Sequence, residues 1–205
     1  DKWAMAAAVA FAYAEDNAAF NGDGTSTYGG ITGLLPKVIL AANAASLVTA
    51  TGLTTLGALT LGTFATVVGK FPSYPGAMPR WFCHKEVWAA SMLSLQMAAG
   101  GLTPGDIKKG QPPAFMGYPV EFVAVMPKAA AVTTGVTGIL FGDASMSTKF
   151  GDRRVRTLEV GMINDDLIKQ LMTLFAASRV DIINHTIIDP KTSTSAGPML
   201  GLKLG

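Results

Sequence analysis

Few side chains in this 205-residue chain stand at spacings that catalysis or ligand binding would need. Cys83-His84 pairs the single thiol with one of two imidazoles, the groups from which a cysteine nucleophile and its base would be drawn. Neighbours in sequence rarely share a productive geometry, because the base must lie within hydrogen-bond reach of the nucleophile. The expectation is a buried thiol at a strand end and an imidazole beside the start of the next helix. His185, the other histidine, shares a strand face with Asp181, which reads as a surface pair rather than an acid–base dyad. Asn21-Gly-Asp-Gly-Thr25 begins like a calcium loop. Set on that loop, the glycine required at position six is Ser26 and the bidentate Glu required at position twelve is Thr32. The segment therefore reads as a tight turn after a helix. Gly22-Asp-Gly24 also opens like a dinucleotide fingerprint, but Thr27 stands in for the third glycine and a helix precedes it where a strand is needed. Walker, nucleophile-elbow and HExxH patterns are missing. No catalytic, cofactor-binding or metal-ligating residue is assigned.

Charge is concentrated in one place: Lys149, Arg153, Arg154 and Arg156, partly balanced by Asp152 and Glu159. Its plain reading is a solvated hairpin at Gly151–Arg156, and the alternative is a surface facing another subunit or DNA. Phe150 is the one aromatic residue nearby, so stacking of single-stranded bases is not supported. Further on, Arg179 and Asp181 stand two apart in an alternating segment, on one strand face and able to pair.

The rest of the composition narrows the class. The chain is 49% hydrophobic and 15% charged, against a usual charged share of about 25%. A net charge of +2 is too small to argue for a nucleic-acid or membrane partner. Low charge with 23 Gly and 11 Pro points to a surface covered by other protein. One cysteine allows no intrachain disulfide, and nothing favours an oxidising compartment. No signal-peptide pattern opens the chain. It starts at Asp1 inside helical sequence, which reads as a processed product or fragment. Val38–Gly69 contains no charged residue, yet Thr and Gly recur and no run of about 20 mainly apolar residues survives. A loop followed by a buried helix is expected there, rather than a membrane span.

Periodicity sets out the elements. Residues 2–19 read as a helix with Trp3, Ala7, Ala10, Phe11, Ala14 and Ala18 on one face. A second helix is expected from Leu56 to Lys70, with Leu56, Leu59, Phe64, Val67 and Phe71 as its stripe and Pro72 as its stop. Arg80–Cys83 reads as a strand. A helix from Lys85 to Ala98 follows, with Val87, Trp88, Met92 and Leu95 inward and Gly100-Gly101 as its cap. Pro104–Pro113 reads as loop. Strands are expected at Tyr118–Val125, Gly138–Phe141 and Arg154–Val160. The longest strand is expected within Leu171–Ile188, with Leu174, Ala176, Val180 and Ile182 on one face and Thr173, Arg179, Asp181 and His185 on the other. Helices mixed with non-sequential short strands make the class α+β.

Several short motifs recur in a telling order. Ala14-Glu-Asp16 through Phe20-Asn-Gly-Asp-Gly24, then Gly30-Ile31 and Gly33-Leu34-Leu35, look like the end of a capsid spine helix and its exit loop. Trp81-Phe82 with the helix Glu86–Met97 is similar to a strand and helix of the axial domain. Gly117-Tyr-Pro-Val120, Met126-Pro127 and Ile139-Leu-Phe-Gly-Asp143 match most closely. Arg153 to Glu159 and Ala177 to Asp181 resemble the closing hairpin and long strand of the peripheral domain. Together they resemble the major capsid proteins of tailed bacteriophages, the Hong Kong 97-type family.

That resemblance implies an α+β, Hong Kong 97-like fold with intertwined axial and peripheral subdomains. Residues 1–50 would form the peripheral subdomain, with the end of the spine helix and its exit loop. Residues 51–127 would form the axial subdomain, and 128–205 its return strands and the long peripheral strand. It implies a structural protein without catalysis or cofactor. Such a protein self-assembles into pentamers and hexamers of an icosahedral shell around double-stranded DNA, held non-specifically. Scaffolding, portal and decoration proteins would be further partners, with no membrane involved. The chain would be assembled in the host cytoplasm and reside in the virion. Arg153, Arg154, Arg156, Arg179 and Asp181 become candidate intersubunit contacts. The N-terminal arm, extended loop and first part of the spine helix would precede Asp1, and no residue here matches a crosslinking partner. The rival readings are an encapsulin-like compartment loading enzymes in place of DNA, a small soluble hydrolase using His84 or His185, and the membrane protein already set aside.

Overall fold

The computed structural model describes residues 2–100, 113–161, 173–185, 187–189 and 194–205. Alanine-rich sequence favours helix, and α1 spans Lys2–Asn21. Its expected inward face is only partly inward. Ala18 is buried, Ala7 and Phe11 are half-buried, and Ala10 and Ala14 are exposed; the side chain of Trp3 lies outside the described residues. Met5, Val9 and Tyr13 also face solvent. Apolar residues occur all round this helix, so it has no single stripe to bury, and its last turns dock on the body through Ala18 and Phe20.

After α1 the chain turns back through Asp23, whose carboxylate accepts from the Thr25 N–H (2.9 Å) and hydroxyl (2.6 Å). These Thr25 donors hold its carboxyl below the usual range. This is the tight turn expected from the composition, with the carboxylate committed to the backbone. Leu34–Val38 then forms the short α2.

Val38–Gly69 holds more than a loop and a helix. Leu47–Ala50 forms β1, a strand the periodicity does not reveal. The helix α3 spans Leu61–Lys70, five residues shorter at its start than expected, with a 3-10 turn at Leu56–Ala58 before it. The Thr60 hydroxyl accepts from the Thr63 N–H at 3.3 Å, which fixes the start as an N-cap. Leu56, Leu59, Phe64 and Val67 are buried as expected. Among the described residues no helix is long and apolar enough to cross a membrane.

Arg80–Cys83 forms β2. The rod that follows comprises α4 (Lys85–Trp88), a π turn (Ala89–Leu93) and α5 (Ser94–Ala98), with Val87 and Met92 buried. The Ser91 hydroxyl donates back to the Val87 carbonyl at 2.6 Å and that of Ser94 to the Ser91 carbonyl at 2.7 Å. Such back-bonding accompanies a locally widened turn. Gly100 follows with φ 69°, as expected of a cap. Gly101, and the loop expected at Pro104–Pro113 up to residue 112, lie outside the described residues.

The remaining elements are β3 (Ala114–Phe115), β4 (Tyr118–Phe122), β5 (Thr137–Gly142), α6 (Ala144–Ser147), β6 (Thr148–Gly161), β7 (Thr173–Asn184) and β8 (Met199–Leu204). Strand β4 ends three residues early, because the chain turns where the Met126 N–H meets the Val123 carbonyl. Gly151–Arg156 is not a hairpin turn; it runs extended through β6, which at 14 residues is longer than the 12-residue β7. Residues 171, 172 and 186 of the long segment lie outside the described residues.

Six strands make one mixed sheet in the order β1-β8-β5-β2-β4-β3, and β6 pairs with β7 in a separate two-stranded ribbon. Strands β1 and β8 are parallel, as are β2 and β4, while β5 is antiparallel to both its neighbours. Alternation along each strand splits the core in two. Trp81, Cys83, Ile139, Phe141, Leu200 and Leu202 turn toward α3 and the α4–α5 rod. Leu140 and Met199 turn the other way, onto Leu34, Leu35 and Val38 of α2. Trp81 anchors the first side: its ring meets Phe64, Phe115 and Phe141, and its Nε1 donates to the Phe115 carbonyl at 3.1 Å.

Candidate assembly surfaces

The thiol and the imidazole part company at the end of β2. Cys83 is fully buried in the core under α3, and burial pushes its thiol up to about 12, so it is no thiolate near neutrality. His84 caps α4 from the other side, its Nδ1 accepting from the Glu86 N–H at 3.2 Å. Both placements are those expected from the sequence. His185 lies one residue past the end of β7, where its backbone N–H donates to the Ser147 carbonyl at 2.7 Å.

The charged cluster belongs to the ribbon. Arg153, Arg154 and Arg156 all lie on β6, and Arg154 stands opposite Arg179 of β7 in register. The side chains of Arg153, Arg154 and Arg156 lie outside the described residues, as do those of Leu174 and Ala176. Lys149, Arg179 and Asp181 are exposed, while Val180 is half-buried and Ile182 buried, so the expected alternation holds here. No ion pair joins Arg179 to Asp181 among the described contacts. Gly151 stands opposite Asp181, so the ribbon sets no cation directly across from that carboxylate.

The base of the ribbon is clamped to the body. Ile182 packs with Ala18 of α1 and Ile31. Asn184, 1% exposed, donates from Nδ2 to the carbonyls of Thr32 (2.8 Å) and Ala19 (3.3 Å) and accepts at Oδ1 from the Thr148 hydroxyl (2.7 Å). Its own carbonyl accepts from Lys37 Nζ. One buried amide, with its donors and its acceptor engaged, thus ties β6, β7, α1 and the approach to α2 together.

A second surface lies between the last turns of α1 and the edge of the sheet. It is a groove of about 650 Å³ whose walls include Phe20, Met78, Phe82 and Phe122. Asp16, Arg80, Glu121 and Asp143 also line it, and Arg80 Nη1 is ion-paired with Glu121 Oε1. Burial and the neighbouring Glu15 carboxylate push Asp16 up. Asp143 is 7% exposed and caps α6. Burial opposes its charge, but donors outweigh this and hold its carboxyl below the usual range: Met78 N–H (2.8 Å), Ser145 N–H (2.9 Å) and the Ser145 hydroxyl (2.6 Å).

Asp143→Asn is expected to cost about 1–3 kcal/mol at pH 7, since the amide nitrogen would face the Met78 N–H. A depressed folded-state pKa gives stability that is fully present above the unfolded value. That stability is lost as pH falls through the folded value. Urea melts of both proteins at pH 7 and near pH 3 should therefore show the gap narrowing with acid. A gap of constant size would mean that the carboxylate charge is not what the donors hold.

Sequence reading missed Asn184, Asp143 and the groove. Asp143-Ala-Ser145 carried a usable signal, an acceptor side chain two residues before a donor at a helix start. Asn184 carried none, because its partners lie on three other segments.

What the described residues set out is surface for contact: an exposed ribbon, an apolar helix and a groove. The phage capsid family profile matches residues 4–184, and the chain belongs to that family. Two solved structures share the fold. The capsid of a native GTA particle, computed with C5 symmetry, has TM-score 0.67 and 20% identity; the match covers 99% of this chain and 64% of that one. The capsid of the empty GTA particle has TM-score 0.64 and 20% identity, over 99% and 65%. The chain thus spans just under two thirds of the length of those capsid chains. No curated protein matches it in sequence.

Proposed function

We propose that this chain is the shell-forming body of a major capsid protein with a Hong Kong 97-like fold, a structural protein with no catalytic step. Residues 51–127 form the axial subdomain around five- and sixfold axes. Residues 1–50 form the peripheral subdomain, and 128–205 supply return strands and the long peripheral ribbon. Copies join in pentamers and hexamers that close an icosahedral shell around double-stranded DNA held non-specifically, and the protein resides in the virion. Scaffolding, portal and decoration proteins act on the same shell.

The observation that carries this reading is the ribbon. Two strands of 14 and 12 residues pair only with each other among the described residues. An isolated two-stranded hairpin is marginal in water, and its free edges invite pairing. The exposed Met5, Val9 and Tyr13 of α1 add apolar surface of the kind that neighbouring subunits cover. Family membership supplies the independent support.

Negative-stain electron microscopy of the gene product, expressed with its neighbouring head genes, tests it. Closed shells with five- and sixfold capsomers are expected, with nuclease-protected DNA inside. Shells filled with enzyme in place of DNA would favour an encapsulin-like compartment. Small uniform particles alone would overturn the shell reading.

A further inference from the structure

Asn21-Gly22 joins the last residue of α1 to the turn behind it, and the chain holds no other Asn-Gly step. In an unstructured chain this dipeptide readily loses its side-chain amide. The backbone nitrogen after the asparagine attacks Cγ, and glycine, with no Cβ and a permissive backbone, hinders that approach least. Packing demands the glycine. A Cβ at Gly22 would stand 2.4 Å from the Ile31 carbonyl oxygen and 2.5 Å from that of Ala18. The Gly22 carbonyl accepts from the Gly33 N–H at 2.7 Å, so the returning segment lies directly on the helix end.

The fold restrains both reacting groups. Asn21 keeps helical backbone, which turns the following nitrogen away from its own side chain. The Gly22 N–H donates to the Ala18 carbonyl at 3.1 Å. Asn21 Nδ2 donates to the Val125 carbonyl at 2.6 Å and to Asn17 Oδ1 at 2.8 Å. Val125 lies 104 positions away, in the turn that ends β4, so this bond exists only while the last turn of α1 is docked on the body.

We propose that Asn21-Gly22 is a spontaneous deamidation site guarded by the docking of α1, and that reaction there bars the helix from docking again. In the first step the Gly22 nitrogen forms a bond to Asn21 Cγ and the Cγ–Nδ2 bond breaks. Ammonia leaves, carrying the proton that Gly22 gives up. Water then opens the cyclic imide to aspartate or to its β-linked isomer. Neither product can donate to Val125. Asn17 can turn its own amide to meet a carboxylate, but a backbone carbonyl has only an acceptor to offer, and two oxygens are left facing each other. A copy whose α1 stays undocked is thereby retired, whereas a docked copy keeps its amide.

The test follows the mass gain of amide-to-acid conversion at Asn21 by peptide mapping. The chain is incubated either folded or denatured in guanidinium chloride, in the same mildly alkaline buffer. Conversion should be at least about tenfold slower in the folded chain, since only molecules with the helix end open can react. Phe82→Ala removes the ring on which Phe20 packs and leaves the sequence around Asn21 intact. It should raise the folded rate about threefold or more and leave the denatured rate unchanged. Phe82→Leu takes its place should the alanine variant not fold. Asn21→Asp reproduces one product and should shift the folding equilibrium about tenfold toward the unfolded chain in denaturant melts.

Equal rates in the folded and denatured chains would overturn the guarding. A folded rate unmoved by loss of the Phe82 ring would overturn docking as the guard. An Asn21→Asp chain as stable as the wild type would overturn the bar to redocking. Each readout is a mass or a melt, so none depends on whether the chain builds shells.

Discussion

Leu140→Asp is expected to leave no soluble folded protein. Leu140 is fully buried at the middle of β5, opposite Phe82 on β2 and Gly201 on β8. Its side chain packs among Leu34, Leu35, Val38 and Met199, none of which can donate from its side chain to a carboxylate. An aspartate there would take up a proton rather than hold its charge, and even the neutral group costs on the order of 2–7 kcal/mol to bury unpaired. The lost leucine packing adds about 2–5 kcal/mol. Against a total stability of about 5–15 kcal/mol, the sum is close to all of it. Leu140→Met, which keeps volume and polarity, should cost less than about 1.5 kcal/mol and remain folded. Soluble expression and a cooperative melt are the readouts. A well-folded Leu140→Asp protein would mean that β5 does not lie between α2 and α3.

Gly142→Ala is the second change with a large expected effect, though it adds a single methyl group. Gly142 has φ 152°, and a Cβ there would stand 2.1 Å from the Pro198 carbonyl oxygen and 2.8 Å from Met199 Cα. Both neighbours are backbone, so no side chain can swing aside. The same Pro198 oxygen accepts from the Asp143 N–H at 2.9 Å, and moving it loosens the cap of α6. Strain and overpacking together should cost on the order of 2–6 kcal/mol. Gly57→Ala is the matched control: nothing lies within 4 Å of a Cβ at Gly57, and a change within about 0.5 kcal/mol is expected. Parallel denaturant melts of the two variants decide the matter. Equal stabilities would show that β8 can move away from β5 at low cost.

Much of the body was legible because its segments obey one period at a time. The α4–α5 rod, the α3 stripe and the buried and exposed positions from Arg179 to Ile182 all follow from spacing alone. The strands β1 and β8 were not legible, for a physical reason. Strand β8 is buried along both faces apart from Lys203, so it shows no polar alternation, and Gly201 interrupts it. That glycine is required by packing, since a Cβ would stand 2.6 Å from Val38 Cγ1. Gly151–Arg156 was misread as a turn because glycine and charge are turn signals. On an exposed ribbon, charge marks solvent-facing strand equally well. Arg153, Arg154 and Arg156 stood out in the sequence as a charge concentration. The register of β6 against β7, and the groove beside α1, depend on segments far apart in sequence. For α1 the shortfall is of another kind: a helix apolar all round names a partner but not whose surface it is.

The order β1-β8-β5 has a consequence for biosynthesis. Strand β8, from residues 199–204, comes last in chain order among the described strands, yet it stands between β1 and β5 and is, among the described residues, the one partner of β1. Until it leaves the ribosome the sheet lacks a middle strand and β1 has nothing to pair with. Closing that gap requires contacts between strands some 150 residues apart, the kind that form late because their loops are costly to close. The sheet between β1 and β5 therefore closes only after residues 199–204 have been made, and the body of the fold is completed after translation of its other described strands rather than during it.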